Sequence, residues 1–308
     1  MAVPNSNFDS LSSITRRTFI PKMVDNIFDG IVLLQRFKKN DVYKSVDGGT
    51  KIIQPLQYAK NSSGGWYSRA DTLSTTDNDV FTSAEFEWKF LYENITLYGV
   101  DEMKNSGKAA VLNYVQERTK ASELTIMDRM GASIYSDGTQ AKEIVGLRAI
   151  VNTSSTIGNI SQSANSWWQA QVSSDTVMTL PSLGTLYSDC SIGSMKPTVI
   201  TSDSDNWDRY YNLLQPQQRF QDKTTADGGF QSLMFRGAAW IDDAAAPADT
   251  VFMLNEKFLN LYYHPKRDFK MEDFVKPTNQ DARVAKILFM GAMGSSNNRM
   301  HGKAAYAA

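Results

Sequence analysis

Residues 81–134, FTSAEFEWKFLYENITLYGVDEMKNSGKAAVLNYVQERTKASELTIMDRMGASI, carry the two patterns around which the rest of the chain is arranged. From Ala84 the residues alternate. Phe86, Trp88, Phe90 and Tyr92 fall on one face, continued by Thr96 and Tyr98. Glu85, Glu87 and Lys89 fall on the other, which turns apolar at Leu91, Ile95 and Leu97. A period of two is the signature of a strand. Strands usually have about 5–6 residues, and this one can run to about three times that. A strand of that length, charged on one face before it becomes apolar, starts outside the body of a protein and runs into it. Asn105-Ser106-Gly107 then supplies a helix start signal. Val111, Val115, Ser122, Ile126 and Met130 recur at helical spacing, with Leu112, Ala121, Leu124 and Met127 widening the stripe. Lys108, Glu117, Arg118, Lys120, Glu123 and Arg129 fill much of the remainder, and Ser136-Asp137-Gly138 turns the chain. The spacing predicts a helix over about 106–134, a rod of roughly 40 Å. One long strand followed by one long helix points to an elongated α+β subunit.

Composition excludes several classes. The 308 residues can bury a large core and hold two subdomains. With 42% hydrophobic and 21% charged residues the chain reads as an ordinary folded protein. A net charge of −1 lacks the basic surplus of a protein that grips nucleic acid electrostatically. Cys190 is the only cysteine, so there is no intrachain disulfide and no cysteine zinc cluster. His264 and His301, the only histidines, are far apart in sequence and read as surface or hydrogen-bonded residues. The most apolar run, from Ile27 to Leu34, is broken by Asp29 and falls far short of a membrane span. The N-terminus lacks the order of a signal peptide, and the expected folding compartment is a reducing cytoplasm.

Residues 1–20 are polar and read as an extended arm bearing Arg16 and Arg17. Pro21 opens a helix with the stripe Ile20, Val24, Ile27, Ile31 and Leu34. Its polar face is not lysine- and arginine-rich until Arg36, which favours packing on protein over lying on a membrane. Asp47-Gly48-Gly49 turns the chain into a strand from Lys51 to Tyr58, where Pro55 demands an edge or a two-stranded ribbon. A flexible tip at Asn61 to Gly65, then Trp66, Tyr67 and a polar run, lead back to the long strand. A hairpin so poor in apolar residues is marginal alone and must rest on the parent domain or a neighbouring subunit. Residues 152–165 read as loop, anchored by Trp167 and Trp168. Leu180 to Cys190 reads as a helix with Pro181 in its first turn. Pro197 to Thr201 reads as a strand, followed by a helix capped by Ser202-Asp203-Ser204-Asp205. Phe230 to Ile241, Thr250 to Leu254, Leu261 to His264 and Val284 to Met293 read as further strands, ending in a polar tail.

The residues assemble no credible active site. Asp203, Asp205 and Asp208 lack the glycine and glutamate of a calcium loop and read as helix capping. Glu85 and Glu87 share a face with Lys89 and read as solvated strand charges. Gly291-Ala292-Met293-Gly294 is not a dinucleotide fingerprint, and there is no phosphate loop or G-x-S-x-G elbow. No enzyme activity, cofactor or metal is expected.

Six segments, taken in order, carry a family resemblance. They are Gly65 to Ser68 (GWYS), Ala84 to Lys89 (AEFEWK), Asp101 to Gly107, Tyr135 to Thr139 (YSDGT), Ile144 to Leu147 (IVGL) and Ser166 to Trp168 (SWW). Together they resemble the major capsid proteins of tailed bacteriophages, of the Hong Kong ninety-seven fold. The likeness runs from about Gly48 to Trp168 and is weaker beyond. It implies an α+β chain with an N-terminal arm (1–20), an N-terminal helix (21–45) and an extended β-hairpin loop (46–82). It implies a peripheral domain (83–142) with a long spine helix, an axial α/β domain (143–265), and a return to the peripheral domain with a C-terminal tail (266–308). Lys51, Tyr58, Lys60, Trp66 and Tyr67 of the loop would touch a neighbouring subunit. Val111, Val115, Ile126 and Met130 would form the spine helix's core face, and Arg16 and Arg17 would lie in the arm.

The resemblance also implies partners. Copies of the chain would form pentamers and hexamers, closing into an icosahedral head around double-stranded DNA held without sequence-specific contacts. Separate scaffolding, portal and decoration proteins would complete a virion assembled in the host cytoplasm, with no membrane partner. Some members cross-link a loop lysine to an asparagine, and Lys51 and Lys60 lie in that segment. Others carry a scaffolding segment of around a hundred residues before the first helix, where this sequence shows only a short arm. Two rivals stay open. An encapsulin-type compartment shares the fold and differs in cargo, which genome context separates. A soluble carbohydrate-binding protein would use Trp66, Trp167 and Trp168 as a stacking platform and would be a monomer or small oligomer.

Overall fold

The computed structural model describes residues 31–73, 75–76, 78–104, 108–214 and 233–306. The described chain opens with helix α1 (Val32–Lys39) and strand β1 (Tyr43–Ser45). Strands β2 (Lys51–Gln57) and β3 (Phe81–Glu87) follow, then β4 (Lys89–Tyr98), the short α2 (Gly99–Lys104) and α3 (Lys108–Ile134). Next come α4 (Leu147–Ile150), β5 (Thr156–Ile157), β6 (Ile160–Ser161), β7 (Gln171–Val172), α5 (Leu180–Asp189), β8 (Val199–Ser202) and α6 (Ser204–Leu214). The remainder is almost all strand: β9 (Leu233–Phe235), β10 (Ala238–Asp242), β11 (Thr250–Leu254), β12 (Leu259–Tyr263), β13 (Lys270–Met271), β14 (Ala282–Ser295) and β15 (Gly302–Ala305).

Two sheets organise these elements. In the five-stranded sheet β14 is central. It pairs with β4 along one edge and with β12 and then β13 along the other, and β1 adds to β12 in parallel. The period of two holds along β14: Ala285, Ile287 and Phe289 are buried, whereas Lys286 is exposed. Helix α3 covers the buried face. Its Ile126 and Met130 are fully buried, Arg129 pairs with Glu93 at 2.6 Å, and the Ser122 hydroxyl donates to the Asn94 carbonyl. At 27 residues this helix is about 40 Å long.

The six-stranded sheet runs β7-β15-β11-β8-β10-β9. Its central strands β8 and β11 are buried on both faces, which is why β11 is almost wholly apolar. Ile200, Val251, Met253 and Trp240 pack under α5 and α6, while Val199, Phe252 and Leu254 join the large core shared with the other sheet. Thr179 caps α5 with a reciprocal capping box to Ser182, and Pro181 lies in the first turn. Before α6, Asp203 accepts from the Asn206 amide at 2.6 Å through Oδ1, and its carbonyl accepts from Trp207 N.

Several expectations need correction. The long strand is two strands. Glu87 pairs with Lys51 and Lys89 pairs with Gly291, so the chain changes partners at Trp88. Trp88 fixes the break, its indole N–H donating to the Gly49 carbonyl at 2.9 Å and its ring meeting His264 edge-on. The buried face changes there too. Ala84, Phe86 and Trp88 are buried before the break and Ile95 and Leu97 after it, so Phe90 and Tyr92 face outward instead of continuing the core face. A short helix, α2, lies between the strand and the long helix, and Asn105-Ser106-Gly107 falls outside the described residues. On α3, Leu124 is exposed and Thr119 and Glu123 are buried, which shifts the stripe.

The segment read as an N-terminal helix also contributes β1, paired with Tyr263 and its neighbours. Its stripe is described only from Ile31, where Leu33, Leu34 and Phe37 are fully buried. The loop at 152–165 contains the β5–β6 hairpin. The single strand read over Phe230 to Ile241 is, in its described part, a hairpin turning at Arg236 and Gly237, both at positive φ. The polar tail contains β15, which pairs with β11 and leads into a fully buried Tyr306.

Candidate functional site

Clusters of exposed aromatics lie on the β2–β3 excursion and on one face of the five-stranded sheet. The excursion is a ladder of seven residue pairs ending in a long irregular tip. Pro55 sits in this ribbon, where its missing N–H removes nothing from a wider sheet. Ile52, Leu56, Ala84 and Phe86 bury one side of the ladder, while Ile53 and Phe81 stay exposed on the other.

The root of the ribbon is tied to the β5–β6 hairpin. Glu85 N donates to the Gly158 carbonyl at 3.1 Å. Glu85 Oε2 accepts from Lys51 Nζ at 2.8 Å and from Asn159 Nδ2 at 3.1 Å. Glu85 is therefore a structural anchor, not a merely solvated charge. Its hydrogen bond and charge hold the Lys51 ammonium above its ordinary pKa.

Farther out, the Tyr58 ring meets Trp167 at 5.5 Å and its hydroxyl donates to the Asp79 carbonyl at 2.8 Å. Asn78 donates to Ser62 across the tip at 2.9 Å. Lys60 is exposed, Tyr67 is 70% exposed and Trp66 has no cover at all. Of the loop residues singled out from sequence, Lys51 and Tyr58 are thus held by their own chain. Lys60, Trp66 and Tyr67 face solvent. On α3, Val115 is half-buried and Ile126 and Met130 are fully buried. The side chain of Val111, and Arg16 and Arg17, lie outside the described residues.

The sheet face opposite α3 is a surface that the sequence reading missed. Phe90 and Tyr92 are 61% and 58% exposed. They stand across from Met290 and Leu288, and Asn94 from Lys286. Arg267 borders the depression that Phe90 and Tyr92 line. The adjoining depression shares Arg267 and Leu288 and adds Lys266, Lys270, Glu272 and Asp273. The alternation of Phe86, Trp88, Phe90 and Tyr92 did mark these aromatics, but not the change of face at Trp88.

Buried ionisable groups serve the core. The Tyr135 hydroxyl donates to Asp243 at 2.9 Å, joining the end of α3 to the six-stranded sheet, and burial pushes the Asp243 carboxyl up. Tyr43 donates to Asp268, whose carboxyl is likewise raised by burial. Burial pushes the Cys190 thiol up to about 12, which leaves it unreactive. Among the described residues no group of three or more His, Cys, Asp or Glu could hold a metal ion, and no helix is long and apolar enough to cross a membrane. Trp168 is buried and Trp167 packs between it and Tyr58, so with Trp66 they do not form one exposed stacking platform.

The sequence matches no protein-family model and no curated protein. Solved structures do match. The capsid subunit of cyanophage A-1(L) aligns over 86% of this chain and 90% of its own, with a TM-score of 0.66 at 14% identity. The capsid of a native GTA particle aligns over 88% and 90%, with a TM-score of 0.64 at 10% identity. An encapsulin, SrpI of Synechococcus elongatus, aligns over 86% and 87%, with a TM-score of 0.58 at 9% identity. The chain therefore has the α+β fold of tailed-phage capsid proteins, which the encapsulin shares.

Proposed function

We propose that this chain is a major capsid protein, a self-assembling subunit of the icosahedral head that encloses the double-stranded DNA of a tailed phage. The observation that carries this reading is the fold match, which runs over nearly the whole of this chain and of its capsid counterparts. Two features agree with it. The β2–β3 excursion has a root tied by hydrogen bonds and, among the described residues, exposed aromatics in its tip, Trp66 and Tyr67. A net charge of −1 suits a container that lets packaged DNA slide. The role is structural and needs neither cofactor nor catalysis. Pentamers and hexamers would form through the axial domain, with the loop lying across a neighbour. Scaffolding, portal and decoration proteins would be further partners, and assembly would take place in the host cytoplasm.

The test is expression of the chain alone and with a candidate scaffold protein, followed by negative-stain electron microscopy. Closed shells, or rings of five and six, are expected. Deleting Asn61 to Gly65 and replacing Trp66 by Ala should leave soluble folded subunits that fail to close. Normal shells from that variant would refute the role given to the loop. A second reading, an encapsulin-type compartment, is favoured by the encapsulin match. Nuclease-protected DNA in purified particles supports the phage head, and an enclosed protein cargo supports the compartment.

A further inference from the structure

We infer that the exposed lysines gathered around the end of α1, Lys39, Lys44, Lys196 and Lys257, form the patch through which this chain touches the phosphate backbone of duplex DNA. The inference rests on the shell reading above and names the surface that the shell turns toward its contents.

Four separate segments bring these lysines together. Lys39 ends α1, Lys44 lies on β1, Lys196 precedes β8, and Lys257 follows Glu256 in the turn after β11. The Glu256 carboxylate ties the segments. It accepts from Arg36 Nε and Asn40 Nδ2, both at 2.7 Å, on the α1 side, and from Thr198 Oγ1 at 2.6 Å on the β8 side. Asn255 Nδ2 donates to the Lys196 carbonyl at 2.9 Å and fixes that segment as well. Between them opens a cleft of about 580 Å³, lined by Lys44 and Lys257 together with Asn40, Asp41, Thr198 and the Arg36–Glu256 pair.

All four lysines are exposed, and among the described residues none of them is in an ion pair. Arg36 cancels Glu256, which leaves Asp41 as the one other acid of the lining. A cation at the end of a helix stabilises the helix itself. That accounts for Lys39 alone, because Lys44, Lys196 and Lys257 lie outside any α-helix. The chain as a whole carries a net charge of −1, so cations gathered here leave the remainder net negative. A polyanion is therefore drawn to this side and repelled elsewhere. The lining also selects among polyanions. It holds no apolar or aromatic side chain, whereas a protein partner is anchored by such residues. Ammonium groups, a carboxamide and a hydroxyl are the groups that meet phosphate oxygens without reading bases. Contacts through a few lysines are weak, salt-sensitive and independent of sequence, which suits DNA that stays close to the wall and still slides.

The test uses the full unassembled chain and a short DNA duplex of arbitrary sequence, with binding read by fluorescence anisotropy over a salt series. The variant Lys39→Gln/Lys44→Gln/Lys196→Gln/Lys257→Gln should keep the denaturant midpoint of the unaltered chain, since the replaced side chains are exposed and unpaired. Its affinity for the duplex at low salt should fall at least about tenfold, and the slope of log K against log salt should shrink by about 2–4. A control with the same loss of charge elsewhere, Lys60→Gln/Lys142→Gln/Lys266→Gln/Lys270→Gln, should bind like the unaltered chain. Acetylation of filled and emptied shells is the second measurement, and the four lysines should be labelled several-fold more slowly when DNA is present. No duplex binding at low salt, an equal loss from the control, or equal labelling of filled and emptied shells would overturn this inference and leave the shell reading standing. Tighter binding of poly-glutamate than of the duplex would assign the patch to an acidic protein segment and overturn it too. Failure of the unaltered chain to form shells, with scaffold supplied, would overturn the shell reading and with it the inward-facing role of the patch, whatever the duplex binding.

Discussion

Glu256 is 6% exposed and accepts four donors: Arg36 Nε at 2.7 Å and Nη2 at 3.1 Å, Asn40 Nδ2 at 2.7 Å and Thr198 Oγ1 at 2.6 Å. Those donors bring the end of α1 to the start of β8. Removing the guanidinium leaves a buried carboxylate without its countercharge, the costly half of a broken pair. Arg36→Ala is therefore expected to cost about 2–4 kcal/mol, read from the denaturant midpoint of unassembled subunits. The double variant Arg36→Ala/Glu256→Ala should cost less than the sum of the two singles; strict additivity would mean the knot contributes no coupling. His301 sets a pH limit. It is fully buried, with Nδ1 accepting from Asn255 N and Nε2 facing the Ser295 hydroxyl, and burial depresses its pKa to about 4. The unfolded chain takes up this proton near pH 6.5 and the folded chain only near 4, so the contribution is complete above 6.5 and is lost as pH falls. The loss reaches about 3 kcal/mol at pH 4. Asp243 and Asp268, with raised pKa values, work in the opposite direction. The informative measurement is thus the difference between the unaltered chain and His301→Gln, which should shrink steadily from pH 7 to pH 4. A constant difference would mean that His301 does not titrate in this window.

At the scale of elements, the β5–β6 hairpin decides how firmly the excursion is held. Gly158 has φ +61°, and a Cβ there would lie 2.6 Å from the Ala84 side chain in β3. Gly158→Ala meets both a backbone penalty and a clash with a buried strand, and should cost about 1–3 kcal/mol. Because the same contact seats the ribbon, proteolysis of the loop at 58–80 should quicken in that variant. Loop cleavage at the unaltered rate would show that the hairpin does not restrain the ribbon. The same elements show what a sequence can convey. Pro55 announced an edge or a two-stranded ribbon, and excluded a central strand, because a missing N–H is a local property. The spacing of Ile126 and Met130 announced the covering helix for the same kind of reason. The Trp88 break was invisible because both halves keep a perfect alternation. Only the change of partner, from Lys51 to Gly291, reverses which parity is buried. Phe90 and Tyr92 therefore read as a continuation of the face of Phe86 and Trp88, and the sheet face they create is not visible in the alternation. Strand β15 was missed because Gly302-Lys303-Ala304-Ala305 has almost no β propensity. Burial between β11 and β7 holds it in place.

At the scale of the whole molecule, the two sheets share more core than a division into peripheral and axial domains would lead one to expect. Strand β11 alternates between them: Val251 and Met253 pack under α5 and α6, while Phe252 and Leu254 enter the core that also holds Ile287, Phe289 and the buried part of α3. Tyr135, at the end of α3, meets Phe252 at a ring distance of 5.8 Å and donates to Asp243 beyond β10. A strand buried on both faces cannot lose one neighbour without exposing apolar area to water, at about 25 cal/mol per Å². Unassembled subunits should therefore unfold in a single transition, with coincident curves from far-ultraviolet circular dichroism and tryptophan fluorescence. Phe252→Ala should cost about 3–5 kcal/mol and move both curves together. Two separated transitions, only one of them shifted by Phe252→Ala, would show that the sheets are independent folding units. Coincident curves would mean that the root of the excursion and the six-stranded sheet belong to one cooperative unit held by the shared core.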